Sequence, residues 1–213
     1  MIRAVVFDLD DTLVDSWSRF DGGMLPVLDE AGIAYDRDEM IRKMHPQGVP
    51  PTAALFCRMG VPGTVEEVTR RLEEGMHREY AHSICLMPGV REYLCRLREQ
   101  GVRLFVLTAS PHSITDPCLQ NNGVWDWFER VWTVEDYGIG KSDPQLFERV
   151  VEDVGVPAAE ILYYDDNPVA VVNAASAGMQ VCGVLCPHTP QNAERIPQVT
   201  ECYISSFDEL NQQ

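Results

Sequence analysis

Two aspartates one residue apart, Asp8 and Asp10, close the apolar run Ala4-Val5-Val6-Phe7 and are followed by Asp11 and Thr12. Carboxylates this close repel unless something positive joins them. In a turn leaving a strand they can share a hard divalent cation, one by its side chain and the other by side chain or backbone carbonyl. The same Asp-Asp-Thr string is also ordinary turn chemistry, so the segment by itself leaves both readings open. Further along, Thr108 ends a second apolar run, Lys141 sits in the loop Gly140-Lys141-Ser142-Asp143-Pro144, and Asp165-Asp166 end the run Ile161 to Tyr164. Taken singly, these are a helix N-cap region, a solvated loop cation and a turn. Taken together they set carboxylates, a hydroxyl and an ammonium at the exits of separate strands, which favours a functional site over unrelated turns.

Such a site needs a fold that brings strand exits together. From Pro88 onward, helical and strand patterns alternate. Val90, Tyr93, Leu94 and Leu97 form a helical stripe closed by Gly101, and Val102 to Leu107 is a buried strand leading into Thr108-Ala109-Ser110. A helix over about His112 to Asn121 precedes a short strand around Val131-Trp132-Thr133. Asp143 then caps a helix with Leu146, Phe147, Val150, Val151 and Val154 along one side and Gly155 as its stop. A strand from Ile161 to Tyr164, a helix from Pro168 to about Ala177, a strand from Gln180 to Val184 and a last helix capped by Ser206-x-x-Glu209 complete the chain. This alternation predicts an α/β protein with a Rossmann-like three-layer α/β/α core, its sheet mainly parallel and covered by helices on both faces. Sites in such sheets lie at the carboxyl ends of the strands.

From Asp15 to about Cys85 the texture differs, with helical periodicity and no convincing strand. Met24, Leu25 and Leu28 lead to a stop at Gly32; Met40, Ile41 and Met44 make a short face; Leu55, Phe56 and Met59 make another before Gly60. Thr64 with Glu67 is a capping-box pattern, and Val65, Val68, Leu72 and Met76 form the stripe behind it. The expected division is therefore an α/β core of residues 1–14 and 86–213 with an all-α insert, residues 15–85, of about four helices. Arg42, Lys43 and His45, before the Pro-rich turn Pro46 to Pro51, and Arg19 are candidate substrate contacts, although a solvated basic helix end explains each one. Trp125, Trp127 and Phe128 could form a contact patch, but packing against the sheet is the commoner fate of such a group.

A length of 213 residues and 45% hydrophobic content allow a sizeable core without covalent staples. The formal charge of -16, with 17 Lys and Arg spread along the chain, argues against a nucleic-acid partner. An anionic substrate must then be drawn by a local metal ion or lysine, not by the overall field. Seven cysteines form no C-x-x-C pair and no even set, which reads as reduced thiols. No window reaches the apolar length of a membrane span, and no signal-peptide pattern opens the chain, so the expected location is the cytoplasm and no membrane partner is expected. Oligomeric state is not legible.

In the order and spacing of these motifs the chain resembles the haloacid dehalogenase superfamily of hydrolases, in its phosphoglycolate phosphatase and beta-phosphoglucomutase-like group with a helical cap. The resemblance rests on Asp8-Leu9-Asp10-Asp11-Thr12, on Leu107-Thr108, on Lys141 before a helix, and on Asp165-Asp166. It implies that Asp8 attacks phosphorus and becomes an aspartyl phosphate, while Asp10 protonates the leaving oxygen and then activates water. It also implies that Mg2+ is held by Asp8, the Asp10 carbonyl and Asp166, and that Thr108, Ala109 and Lys141 bind the transferring oxygens. It further implies that the substrate is a small phosphorylated metabolite. Asp11 stands where many relatives have Gly. Asp165 can bind the metal, orient Lys141 or close the turn. Dehalogenases lack the second aspartate, because halide leaves without a proton, so Asp10 argues against carbon-halogen chemistry. Sugar phosphomutases carry a His near where Phe20 stands; a mutase is thus the second enzyme reading, and a silent phosphate-binding domain the non-enzyme one.

Overall fold

The computed structural model describes residues 1–44 and 48–212. The chain forms two compact units, one built from Met1–Asp15 with the chain from Cys85 onward and the other from Ser16–Ile84. Strand β1 (Ala4–Phe7) is buried at every position, as a strand without polar alternation must be when both faces are covered.

The second unit is helical: α1 (Trp17–Met24), α2 (Pro26–Glu30), α3 (Arg37–Met44), α4 (Val49–Met59) and α5 (Val65–His82). The stripe Met24, Leu25, Leu28 predicted one helix, but Pro26 divides it, since proline has no N–H to continue α1 and suits the first turn of a new helix. The capping box at α5 forms as expected: Glu67 N donates to Thr64 Oγ1 at 3.2 Å and Thr64 N to Glu67 Oε2 at 2.8 Å. Helices α1 and α5 touch backbone to backbone at Gly23 and Gly75, where an added Cβ on Gly75 would lie 1.8 Å from the Gly23 carbonyl oxygen. His45, Pro46 and Gln47, within the basic and Pro-rich segment singled out above, lie outside the described residues.

The first unit continues with α6 (Val90–Glu99), β2 (Arg103–Thr108), α7 (His112–Asn121), β3 (Arg130–Thr133), α8 (Val134–Tyr137) and α9 (Gln145–Val154). Then come β4 (Ile161–Asp165), α10 (Pro168–Ser176), β5 (Gln180–Val184), α11 (Pro190–Val199), β6 (Tyr203–Ile204) and α12 (Asp208–Asn211). Three of these carried no usable sequence pattern: α8 is a single turn, β6 has two residues, and α11 holds Pro197 inside it. Asp143 serves the start of α9 one step early, its Oδ1 accepting from Gln145 N at 3.0 Å.

All pairs in the sheet are parallel, in the order β3-β2-β1-β4-β5-β6. One face carries Ala4, Val6, Phe105, Leu107, Trp132 and Tyr163 against Leu146, Phe147, Val150 and Val154 of α9 and Ala170 and Ala174 of α10. The opposite face carries Phe7, stacked on Tyr164 at 5.2 Å and met by Tyr93 of α6, Phe128 and Phe207. Each such large side chain is worth roughly 2 kcal/mol when buried, and a slip of one residue in β1 would put Val6 and Phe7 on the wrong faces. That cost holds the register on which the site depends. Phe128 therefore belongs to the core, and Trp127 lies under Arg91 and Arg98, 5.6 and 4.8 Å from its ring centre. Among the described residues no helix is long and apolar enough to cross a membrane.

Candidate active site

Strand order reverses between β1 and β4, the point at which open parallel sheets leave a crevice at their carboxyl ends. Phe7 is paired with Tyr164 and Val106, so Asp8 stands level with Asp165 on one side and with Leu107, one residue short of Thr108, on the other. Asp8 N donates to the Tyr164 carbonyl at 2.8 Å, which sets Asp8 beside Asp165. The turn after β1 closes through Asp11 N to Val14 O at 2.8 Å and Leu13 N to Leu9 O at 2.9 Å. Asp11 sits at φ 57, a left-handed conformation natural to Gly and tolerated by Asp. This accounts for its standing where Gly is common, and assigns it to the turn.

Lys141 reaches in from the loop between α8 and α9. Its ammonium donates to Asp8 Oδ1 and, at 2.9 Å, to Asp165 Oδ2, while Asn173 Nδ2 of α10 holds the Lys141 carbonyl at 2.9 Å. Both carboxylate oxygens of Asp165 are engaged: the Tyr163 hydroxyl also donates to Oδ2, and Asn167 N donates to Oδ1 at 2.7 Å. Of the roles left open for Asp165, orienting Lys141 and closing the turn are both visible in these bonds. Asp166 accepts from Thr189 Oγ1 at 3.2 Å.

Asp10 is placed differently from Asp8. Its Oδ2 accepts from Ser110 Oγ at 2.6 Å, and Ser110 N donates to Thr108 Oγ1 at 3.0 Å. The segment Thr108-Ala109-Ser110 thus folds back on the Asp10 carboxylate, with Thr108 buried and Ala109 exposed. The two aspartates that looked equivalent in sequence end up with different neighbours, a lysine for one and a serine for the other. Local spacing did not single out Ser110, Tyr163, Asn173 or Thr189. Tyr163 had one usable signal: it precedes Asp165 by two on the same strand and so shares its face. Asn173 and Thr189 reach the site only through tertiary packing.

Asp8, Asp165 and Asp166 each offer a carboxylate oxygen within 4.8 Å of the others, at exposures of 6%, 1% and 9%. Burial pushes the Asp8 carboxyl well above its usual range, against the pull of Lys141 and with the repulsion of Asp165, Asp166 and Asp10 added. Burial likewise raises Asp166 to about 7, helped by Asp165 and Asp11. Burial works the other way on the Lys141 ammonium, but Asp165 and Asp8 outweigh it and hold the lysine charged. One cation against this many carboxylates leaves the cluster short of positive charge. Hard oxygen donors around such a deficit fit a divalent cation. The Asp10 carboxylate is not among the three clustered groups. Arg19, Arg42 and Lys43 belong to the helical unit, where Lys43 pairs with Glu39 Oε1 at 2.6 Å as an ordinary helix-surface pair.

Known proteins resemble this chain in sequence and in fold. The family of haloacid dehalogenase-like hydrolases matches residues 5–184, from β1 through β5. A phosphorylated carbohydrates phosphatase of Thermotoga maritima is 25% identical over 84% of this chain and 83% of its own. A phosphoglycolate phosphatase of Pseudomonas savastanoi pv. phaseolicola is 30% identical over 83% of this chain and 67% of its own. CbbY from Rhodobacter sphaeroides, solved in complex with phosphate, has a TM-score of 0.75 at 20% identity over 99% of this chain and 96% of that one, a likeness of fold alone. With the match spanning five of the six strands and every strand exit that feeds the carboxylate cluster, the chain belongs to the haloacid dehalogenase-like hydrolase family.

Proposed function

We propose that the protein is a Mg2+-dependent phosphatase that hydrolyses a small phosphate monoester through an aspartyl phosphate on Asp8. The observation that carries this reading is the division of labour between two neighbouring carboxylates: Asp8 is held by Lys141 and Asp10 by Ser110. Asp8 and Asp166, with the Asp10 backbone carbonyl, would hold the ion, while Asp165 has its oxygens taken by Lys141, Tyr163 and Asn167. Bound Mg2+ draws charge from the carboxylate and the phosphoryl oxygens, so that two anions can meet.

Within that site, an Asp8 oxygen attacks phosphorus as the ester P–O bond breaks, and Asp10 gives its proton to the leaving alkoxide. Asp10, now a carboxylate, takes a proton from water as that water attacks phosphorus, which releases Asp8 and inorganic phosphate. Lys141 and the Ala109 N–H stabilise the phosphoryl oxygens. Thr108 Oγ1 accepts from Ser110 N and so keeps its own proton to donate. An alkoxide needs a proton on departure and a halide does not, so Asp10 suits phosphate esters. The helical segment between β1 and β2, residues 15–85, is assigned as the cap that selects the substrate. Relatives named for phosphoglycolate and for phosphorylated carbohydrates support a small anionic substrate. Among the described residues no disulfide joins any of the seven cysteines, which suits a reducing compartment, the cytoplasm.

The test is release of phosphate from p-nitrophenyl phosphate and a panel of small phosphate esters, with and without Mg2+, beside Asp8→Asn. Wild-type turnover should require the metal and fall on the order of 1000-fold or more in the variant. Absence of metal-dependent turnover above Asp8→Asn on the whole panel overturns the reading. An isomerised sugar phosphate in excess of free phosphate would replace it with a mutase.

A further inference from the structure

We propose that the Tyr163 hydroxyl is a positioning group for Lys141, acting through Asp165; the inference rests on the phosphatase reading above. Tyr163 is fully buried on β4, its ring held edge-on by Phe147 of α9 at 5.3 Å and 71°. Residues i and i+2 of a strand share a face, so its hydroxyl points along the sheet toward Asp165. There it donates to Asp165 Oδ2, the same oxygen that accepts the Lys141 ammonium. The Tyr163 ring also lies 5.8 Å from Lys141 Nζ, so the tyrosine meets the lysine both through its face and through a shared carboxylate.

The physical consequence follows from counting donors. The ammonium has three N–H groups; one points to Asp165 and one to Asp8, which leaves one for a phosphoryl oxygen. Asp165 is 1% exposed, so water cannot replace a missing donor there. With the tyrosine hydroxyl in place, Oδ2 divides its charge between two partners. Without it, the whole attraction of that oxygen falls on Lys141 and draws the ammonium off Asp8 and the transferring phosphoryl group. Asn173 anchors the lysine backbone from α10, so the side chain, not the loop, is what would move. Tyr163 therefore sets how Lys141 is shared between a structural carboxylate and the reacting one.

A built-in control stands next to it on the strand. Tyr164 is also buried but faces the other side of the sheet, where its hydroxyl meets that of Tyr93 at 2.7 Å. Tyr163→Phe and Tyr164→Phe each delete one buried hydroxyl, and thermal unfolding should report similar losses of stability. With p-nitrophenyl phosphate at saturating Mg2+, we expect kcat/KM to fall roughly tenfold or more in Tyr163→Phe and to stay within about twofold of wild type in Tyr164→Phe. Calorimetry with inorganic phosphate should show the same contrast in affinity. In an Asp165→Asn background, adding Tyr163→Phe should change phosphate affinity by less than about twofold, because the mediator is already gone. Equal effects of the two Phe variants, or wild-type phosphate affinity in Tyr163→Phe, overturn the inference. If the wild type turns over no ester, the phosphatase reading falls, and the phosphate calorimetry still decides the role of Tyr163.

Discussion

Replacing Asp166 by Asn should stabilise the metal-free protein at alkaline pH while removing its response to Mg2+. Burial first, then Asp165 and Asp11, lift the Asp166 carboxyl from an ordinary 3.8 to about 7, against the opposing effects of Lys141 and the Thr189 hydroxyl. The unfolded chain ionises this group near 3.8 and the folded chain near 7, so its favourable contribution is fully present below 3.8 and is lost as pH rises through about 7. At about 1.4 kcal/mol per pH unit over roughly 3 units, the upper bound at pH 8 is ~4 kcal/mol. Water reaching a carboxylate that is 9% exposed relaxes part of this cost, and we expect about 2 kcal/mol. The amide that replaces the carboxylate would still offer an oxygen to Thr189, and its new N–H groups enter a cluster rich in carboxylate acceptors. Urea unfolding in EDTA at pH 8 should give the variant the higher midpoint, with the gap falling to less than about half at pH 5. Asp8, whose carboxyl Asp166 helps to raise, is relieved by the same substitution and shifts the difference in the same direction, while titrating groups remote from the cluster cancel. Mg2+ at about 100 times its dissociation constant should stabilise the wild type by ~2.7 kcal/mol and leave the variant unchanged. A variant less stable than wild type at pH 8, or a gap that does not change with pH, would refute the argument that these carboxylates carry uncompensated charge.

Ser110→Ala deletes the 2.6 Å bond to Asp10 Oδ2 and should lower kcat roughly tenfold, with Mg2+ affinity measured by calorimetry unchanged; an unaltered kcat would show that Asp10 needs no such support. Gly75→Ala would drive a methyl to 1.8 Å from the Gly23 carbonyl oxygen, so α1 and α5 must separate. We expect a loss of about 1–3 kcal/mol in chemical unfolding; a variant within about 0.5 kcal/mol of wild type would show that the contact relaxes without cost.

Much of the core was legible because a parallel sheet imposes a simple pattern. Strands covered on both faces must be continuous apolar runs, and Ala4–Phe7, Arg103–Thr108 and Ile161–Asp165 follow that rule to within a residue or so. Helix ends marked by local chemistry, such as the Thr64 box and the Gly155 stop, were equally readable, since their partners lie within a few residues. Where the pattern was short or interrupted, as in α8, α11 and β6, periodicity had too few residues to show; α8 is one turn closed by its own Thr133–Asp136 box and Gly138. Pro26, which splits one predicted helix into two, shows a local rule prevailing over periodicity.

The same division holds at the site. Residue types and order by themselves determined which side chains lie at the strand ends: Asp8, Asp10, Thr108, Asp165 and Asp166 do, while Lys141 reaches them from the loop between α8 and α9. A strand exit is a one-dimensional fact, written in the run that precedes it. Which carboxylate meets which partner was decided only in three dimensions. The parallel pairing of β1 with β4 brings Asp8 and Asp165 together around Lys141. The fold of Thr108-Ala109-Ser110 turns Asp10 toward a serine instead. The pairing of strands distant in sequence supplies these neighbours, and no spacing along the chain encodes them.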